Sequence, residues 1–450
     1  MEKQNSKFKT FRFILFAIIS FSIAACNNQA KDLKSTLQKL SEVPLKTLES
    51  DSMYTETYEL WYTQNVDHEN DESEEFNQQV IINHVGFDRP TIVILEGYDL
   101  YSTKAGELSK LLNANQITIE HRFFDKSRPD SIPWEFLNIK QAATDQHNII
   151  QSLKSIYSGK WISTGISKGG QTTMYHRRFF PNDVDASVAY VAPFNFERED
   201  PRIAEHLNTV GTKECRDKVL DFQTLLFEMK SEILPLLKER AQEKEYTFNL
   251  TGIERAYDLN VLEYSFAFWQ WSGDCDKIPE SKTSVEDIFK YWISISSFSW
   301  FSDQKDETDL LFTYQALSEI GFYDYDITPF RKYLEDSVNI TFDYKIPSHI
   351  NYDFNAESMQ DIKKWIQKSG DYMLYIYGEN DPWAATAVNP SDNTIAVKMV
   401  NPDGNHRTRI KSFPDDMKDS IYDILENWSG VEIVKTNNRG GNPGEIFEIL

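Results

Sequence analysis

The stretch Trp161–Phe180, WISTGISKGGQTTMYHRRFF, decides how this chain reads. An apolar, strand-like run ends at Gly165, Ser167 stands between glycines, and an amphipathic basic run follows. The pattern G-x-S-x-G lets a backbone turn sharply from strand into helix, because glycine tolerates conformations and close approaches that a Cβ forbids. Such a turn is a nucleophile elbow, which lifts a serine hydroxyl to the top of a parallel sheet. A glycine-rich turn with an incidental serine carries the same letters, so the flanking sequence has to choose.

Working outward, strand-like runs precede the elbow at Tyr54–Tyr62, Phe76–Val85, Thr91–Leu95 and Ile117–Glu120. Asn138–Ile156 has apolar residues at helical spacing, Trp161–Thr164 is strand-like, Gln171–Phe180 helical and Val184–Val191 strand-like. Strands alternating with helices predict an α/β fold with a mostly parallel sheet covered by helices. The rhythm breaks after Pro193. From about Arg202 to Tyr344 the pattern is helical and rich in aromatics, as in FAFWQW (266–271) and YWISISSFSWF (291–301). It resumes with a helix at 357–369, strands at 372–378 and 395–400, and a helix at 415–428. The expected organisation is a leader over 1–26, a first core segment over 27–195, a helical cap over 196–345, and a second core segment with a tail over 346–450.

A serine attacks only when a base takes its proton, and the base works best when an acid fixes its tautomer. On an α/β-hydrolase these follow in the order serine, acid, histidine, on loops at the carboxyl ends of strands. Downstream of Ser167, YMLYIYGENDPW places Asp381 just beyond an apolar strand, with Glu379 as a rival acid. NPDGNHRTRI then places His406 in a Gly/Asn-rich loop, 25 residues on (406 − 381). Ser167, Asp381 and His406 are therefore the candidate catalytic residues. The oxyanion needs backbone donors. One is the amide of Lys168. The other is the amide of Gly97 or Tyr98, where the strand TIVIL runs into EGY, with the Tyr98 hydroxyl as a further donor.

The whole chain has 450 residues, 40% of them hydrophobic, enough for a large core and a second helical region. Lys plus Arg number 47 against 70 Asp plus Glu, a net charge of −23. Such a chain repels nucleic acid and attracts small cations such as a peptide amine. Lys3, Lys7, Lys9 and Arg12 precede the apolar run Phe13–Ala25, and IAAC ends at Cys26. That is an export leader whose run is too short for a comfortable membrane span. A cysteine directly after small residues resembles a bacterial lipobox, so the mature protein is expected to begin at lipidated Cys26, in the periplasm or on the outer membrane. Loss of residues 1–25 would bring the charge to about −26 (−23 − 3). Two further cysteines, Cys215 and Cys275, are expected to pair in an oxidising compartment.

Several segments together resemble one family. QNVDH (64–68), LEGY (95–98), IEHRFFDKSRP (119–129), QAATDQH (141–147), GISKGGQTTMYHRRFFPNDVDASVAYVAP (165–193), ECRD (214–217), FAFWQW and YGENDPW (377–383) look like the secreted serine aminopeptidases of the PS-10 type. These release tripeptides and tetrapeptides, typically after proline, and are similar in turn to the prolyl carboxypeptidase and dipeptidyl peptidase group. The resemblance covers about residues 54–430. It implies an α/β-hydrolase core, a helical cap holding Cys215 and Cys275, and the Ser167, Asp381, His406 triad. An exopeptidase must also hold the charged end of its substrate. Glu197 and Asp200, in APFNFERED (192–200), and Glu96 beside the oxyanion loop are the candidate anchors for an N-terminal ammonium. Trp269 and Trp271 are the candidate walls of a proline pocket. No metal or cofactor is called for. A lipase or esterase on the same fold and a non-catalytic binding lipoprotein remain the alternatives.

Overall fold

The computed structural model describes residues 32–303, 307–335 and 340–434. The leader with Cys26, and the tail beyond 434, lie outside the described residues. Nine strands form one mixed sheet: β1 (Lys46–Leu48), β2 (Glu56–Asn65), β3 (Glu75–His84), β4 (Thr91–Leu95), β5 (Asn115–Ile119), β6 (Trp161–Ile166), β7 (Ala186–Tyr190), β8 (Met373–Gly378) and β9 (Ala396–Asn401). Their order is β1-β2-β3-β5-β4-β6-β7-β8-β9. The first three pair antiparallel, β3 pairs antiparallel with β5, and all later pairs are parallel.

Central β4, β6, β7 and β8 are buried along almost their whole length. That is why their sequences read as continuous apolar runs: a parallel sheet is covered on both faces. One face packs the helices Glu107–Leu112 and Asp415–Ser429 through Leu108, Leu112, Ile421 and Leu425 against Ile92, Ile162, Val188 and Leu374. The other packs the helix Ile139–Lys154, whose N-terminus is capped by the Asn138 side chain accepting from Gln141 N–H at 3.0 Å. The chain leaves β4 for β5 on one side and β6 lies on the other, so strand order reverses at β4. A crevice outside the carboxyl ends of the strands is expected at such a switch point. The segments Glu96–Tyr98 and Ser167 emerge from those ends.

Between β7 and β8 the regular elements are helical, the longest being Lys213–Glu228, Lys230–Glu243 and Ile253–Trp271. Their core is continuous with that of the nine-stranded sheet: Phe222, Leu226, Trp292 and Phe301 belong to the same buried cluster as Phe123, Met174 and Tyr375. Trp383, two residues beyond Asp381, stands within 5.1–5.7 Å, centroid to centroid, of the rings of Phe266, Tyr323 and Phe322. The helical region therefore packs directly on the loop that carries the acid.

Cys215 and Cys275 are joined by a disulfide, with their Cα atoms 5.5 Å apart and a sequence separation of 60. It ties the start of Lys213–Glu228 to the turn after Ile253–Trp271. Constraining a loop of that length in the unfolded chain is worth about 3–4 kcal/mol in the chain-entropy account. Replacing both cysteines by serine should lower the thermal midpoint by several degrees, read by circular dichroism. An unchanged midpoint would show that the bridge constrains nothing.

Candidate active site

Ser167 has φ 56° and ψ −121°, a conformation that a residue with a Cβ adopts only under constraint. The constraint comes from both sides. Its N–H donates to the carbonyl of Tyr190 on β7 at 2.9 Å, and its carbonyl accepts from Gln171 N–H at 3.0 Å as the helix Lys168–Phe179 begins. A Cβ on Gly165 would lie 2.1 Å from the carbonyl oxygen of Gly169, so strand and helix can meet this closely only through glycine. The G-x-S-x-G segment is thus a strained strand-to-helix elbow, with Ser167 partly accessible at its tip.

His406 and Asp381 meet: Nδ1 of the imidazole lies 2.7 Å from Oδ2 of the carboxylate. Asp381 is fully buried and His406 is 4% exposed. The other carboxylate oxygen accepts from Trp383 N–H at 3.1 Å, which fixes the plane of the acid. The histidine loop is fastened twice. Asn380 N–H donates to Gly404 at 2.7 Å, and His406 N–H donates to the carbonyl of Gln270, in the last turn of Ile253–Trp271, at 3.1 Å. Glu379 is exposed and accepts from Asp403 N–H at 3.1 Å, so it braces the loop from outside and does not touch the imidazole.

The Tyr98 hydroxyl lies near enough to the Ser167 side chain to feel it, and burial together with the charge of Asp309 holds its pKa well above the usual phenol value. Lys168, directly after the nucleophile, turns its side chain inward. Its ammonium donates to the Gly97 carbonyl, and burial pulls its pKa well below the usual lysine range. The amides of Lys168 and Tyr98 have no acceptor among the described residues.

Glu96 directly follows β4 and precedes Gly97. Burial first, then the charges of Glu120 and Asp99, push its pKa up to about 8. Burial likewise pushes Glu120 up to about 7, against hydrogen bonds from Ser127 and Leu100 that favour its charge. A carboxyl group whose pKa rises on folding holds its proton in the native state while the unfolded chain has lost it. Stability then falls as pH rises from the unfolded value near 4.5 to about 8. Glu96→Gln removes that penalty. The variant should melt higher than the parent at pH 8–9, and the two should converge near pH 4. A parent that melts higher at pH 9 would refute the assignment.

The remaining candidates separate. Asp200 is 2% exposed and bound by the guanidinium of Arg202 at 2.6 and 2.8 Å, and it also accepts from Phe196 N–H at 3.1 Å. It caps the helix Pro201–Leu207, with little capacity left for a substrate amine. Glu197 is exposed. Trp269 is 2% exposed and packs against Gly211, where an added Cβ would lie 2.4 Å from its ring, so it is core and not pocket wall. Trp271, two residues on, is partly exposed and meets the His406 ring edge-on at 5.4 Å. Sequence reasoning did not pick out the inward Lys168 side chain. Nor did it pick out His206, which is near enough to feel the charge of Asp381 and whose pKa burial lowers. A pattern of letters carries no signal for either, since both depend on which way a side chain turns.

A family model described as PS-10 peptidase S37 matches residues 26–447. The chain is similar to the prolyl tri/tetrapeptidyl aminopeptidase of Streptomyces mobaraensis, 32% identical over 400 residues, covering 86% of this chain and 84% of that one. It is also similar to the probable serine protease EDA2 of Arabidopsis thaliana, 26% identical over 250 residues and 50% of each chain. Among solved structures, the proline iminopeptidase of Mycobacterium smegmatis aligns with a TM-score of 0.41 at 12% identity, over 82% of this chain and 98% of that one. With a match spanning nearly its whole length, this chain belongs to the PS-10 peptidase S37 family and is a serine-type peptidase on an α/β-hydrolase fold.

Proposed function

We propose that this protein is an exported aminopeptidase that cuts tripeptides and tetrapeptides, after proline, from free N-termini. The observations that carry the catalytic part are the buried Asp381–His406 pair, 2.7 Å apart, on the loops that follow β8 and β9, and the strained Ser167 elbow that follows β6. In this reading His406 Nε2 takes the proton of Ser167 Oγ as the oxygen attacks the scissile carbonyl. Asp381 holds the other ring nitrogen and stabilises the imidazolium. The oxyanion is met by the amides of Lys168 and of Gly97 or Tyr98, with the Tyr98 hydroxyl beside the attacking oxygen. Collapse of the tetrahedral intermediate breaks the C–N bond, and the imidazolium gives its proton to the leaving amine. Water, deprotonated by the same histidine, then releases the acyl group from Ser167.

The specificity follows the name of the Streptomyces relative and the chemistry of the crevice. Of the three acids named as amine anchors, Glu96 fits best: Asp200 is already paired with Arg202, and Glu197 stands in solvent. An arriving ammonium would return Glu96 to its charged form, exchanging one desolvated charge for a pair. Trp271, beside His406, is the cap aromatic placed to border the residue before the cut. Acetylating the amine of a good tripeptide anilide should then cost about 2–5 kcal/mol of transition-state binding, read as a fall in kcat/KM. Equal turnover of free and acetylated peptides would point to an endopeptidase, and faster turnover of a short nitrophenyl ester than of either would point to an esterase.

Export rests on the leader, and anchoring on Cys26. Mass spectrometry of the protein from its native host should find a mature N-terminus at a lipid-modified Cys26. An unmodified cysteine in a detergent-free soluble form would overturn that part.

A further inference from the structure

Lys168 follows the nucleophile directly, yet its long side chain does not reach water: the residue is 3% exposed. Its ammonium lies 4.4 Å from the centre of the Phe124 ring and 5.2 Å from that of Tyr98, and its hydrogen bond goes to the main-chain carbonyl of Gly97. The acid whose charge reaches it is Asp99, acting through space. In such a slot two ring faces, one carbonyl and the through-space charge of Asp99 are the compensation for lost water, which leaves a desolvation cost that methionine, of similar length, would avoid. The position of the carbonyl explains what the cation does there. Gly97 is the first half of the peptide unit whose second half is the Tyr98 amide. In a planar trans peptide the C=O and the next N–H point in opposite directions. Fixing the Gly97 oxygen on the Lys168 ammonium therefore fixes the direction of the Tyr98 N–H. The loop and the elbow are in contact at this point: a Cβ on Gly97 would lie 2.7 Å from the Lys168 Cβ.

We propose that the Lys168 side chain is a positioning group of the oxyanion hole: by holding the Gly97 carbonyl it aims the Tyr98 amide at the developing oxyanion, while the Lys168 main-chain amide supplies the other donor. One residue thus sets both donors relative to the serine that precedes it. The hydrogen bond it donates also polarises the Gly97–Tyr98 peptide, which strengthens its N–H as a donor. The inference rests on the serine-peptidase reading of Ser167 and extends it to a side chain that touches neither substrate nor the triad.

The test compares Lys168→Met and Lys168→Gln with the parent, in the full chain. Three quantities are read: kcat and KM for a Pro-linked peptide anilide, affinity for a peptide aldehyde that forms a tetrahedral adduct with the serine, and affinity for the product peptide. The parent must first turn over the anilide and react with a serine-directed phosphonate; if it does neither, the peptidase reading itself falls. With an active parent, Lys168→Met should lower kcat by about ten- to a hundredfold, less than the full loss of an oxyanion donor, because the amide is misaimed and not removed. Aldehyde affinity should fall by the same factor, with KM and product affinity within about twofold of the parent. A folded Lys168→Met enzyme with unchanged kcat would overturn the proposal. So would a loss spread equally over product and aldehyde binding, which is the signature of a slot filler whose removal loosens the whole site. Should Lys168→Met fail to fold, the same comparison is made on Lys168→Gln and Lys168→Arg, and a folded variant whose loss in kcat is not matched by its loss in aldehyde affinity overturns it equally.

Discussion

Ser167→Ala should reduce kcat/KM for a Pro-linked peptide substrate by about 10⁴- to 10⁶-fold while leaving the fold intact. The hydroxyl is the one atom lost. The elbow is held by main-chain bonds to Tyr190 and Gln171 and by the glycine contact at Gly165, none of which needs that hydroxyl. His406→Ala should cost a similar factor, because the two act as a unit and losing either removes covalent catalysis. Asp381→Ala should cost less, about 10⁴-fold, since it orients the imidazole and moves no proton. Asp381 is fully buried and anchors Trp383 N–H, so its removal should also lower the thermal midpoint, which separates it from Ser167→Ala. Glu379→Ala is the control: it loses an exposed brace on Asp403 and should keep most activity. If Glu379→Ala proved more damaging than Asp381→Ala, the acid would have been misassigned.

Gly97→Ala should cost about 10²- to 10³-fold in kcat, comparable to removing an oxyanion donor. The added Cβ would lie 2.6 Å from the Gly169 nitrogen and 2.7 Å from the Lys168 carbonyl carbon. Both are backbone atoms at the start of the helix Lys168–Phe179, pinned by the elbow, so the loop must retreat and take the Tyr98 amide with it. KM should change much less than kcat, because the loop meets the substrate most strongly when the oxyanion forms. Gly86→Ala provides the comparison: its Cβ would meet Cγ of the Arg89 side chain at 3.2 Å, a contact that a shift of a few tenths of an ångström relieves and that lies away from the elbow, and activity should stay close to the parent. Equal losses for the two variants would show that the Gly97 effect is general destabilisation.

The sequence by itself determined the parts governed by local chemistry. Trp161–Ile166 had to be a covered strand because it is a short run without a charge that ends on a turn signal, and G-x-S-x-G had to be a tight turn because only glycine clears the approach of Gly169. The order of Ser167, Asp381 and His406 is a property of the chain, and so it was legible without coordinates. Short elements were not: β1 has three residues and the helix Glu107–Leu112 six, too few for a period to emerge from composition. The tertiary structure decided where each side chain spends its charge and its surface. Asp200 looked free in APFNFERED but closes on Arg202, and Trp269 turns inward onto Gly211 while Trp271 reaches His406. Lys168 looked like one more basic residue of an amphipathic helix, yet it is buried against Gly97, Tyr98 and Phe124. The physical reason is common to all three. Periodicity and turn chemistry act between neighbours in the chain, whereas ion pairing, ring stacking and desolvation act between residues that only the closed fold brings within a few ångströms.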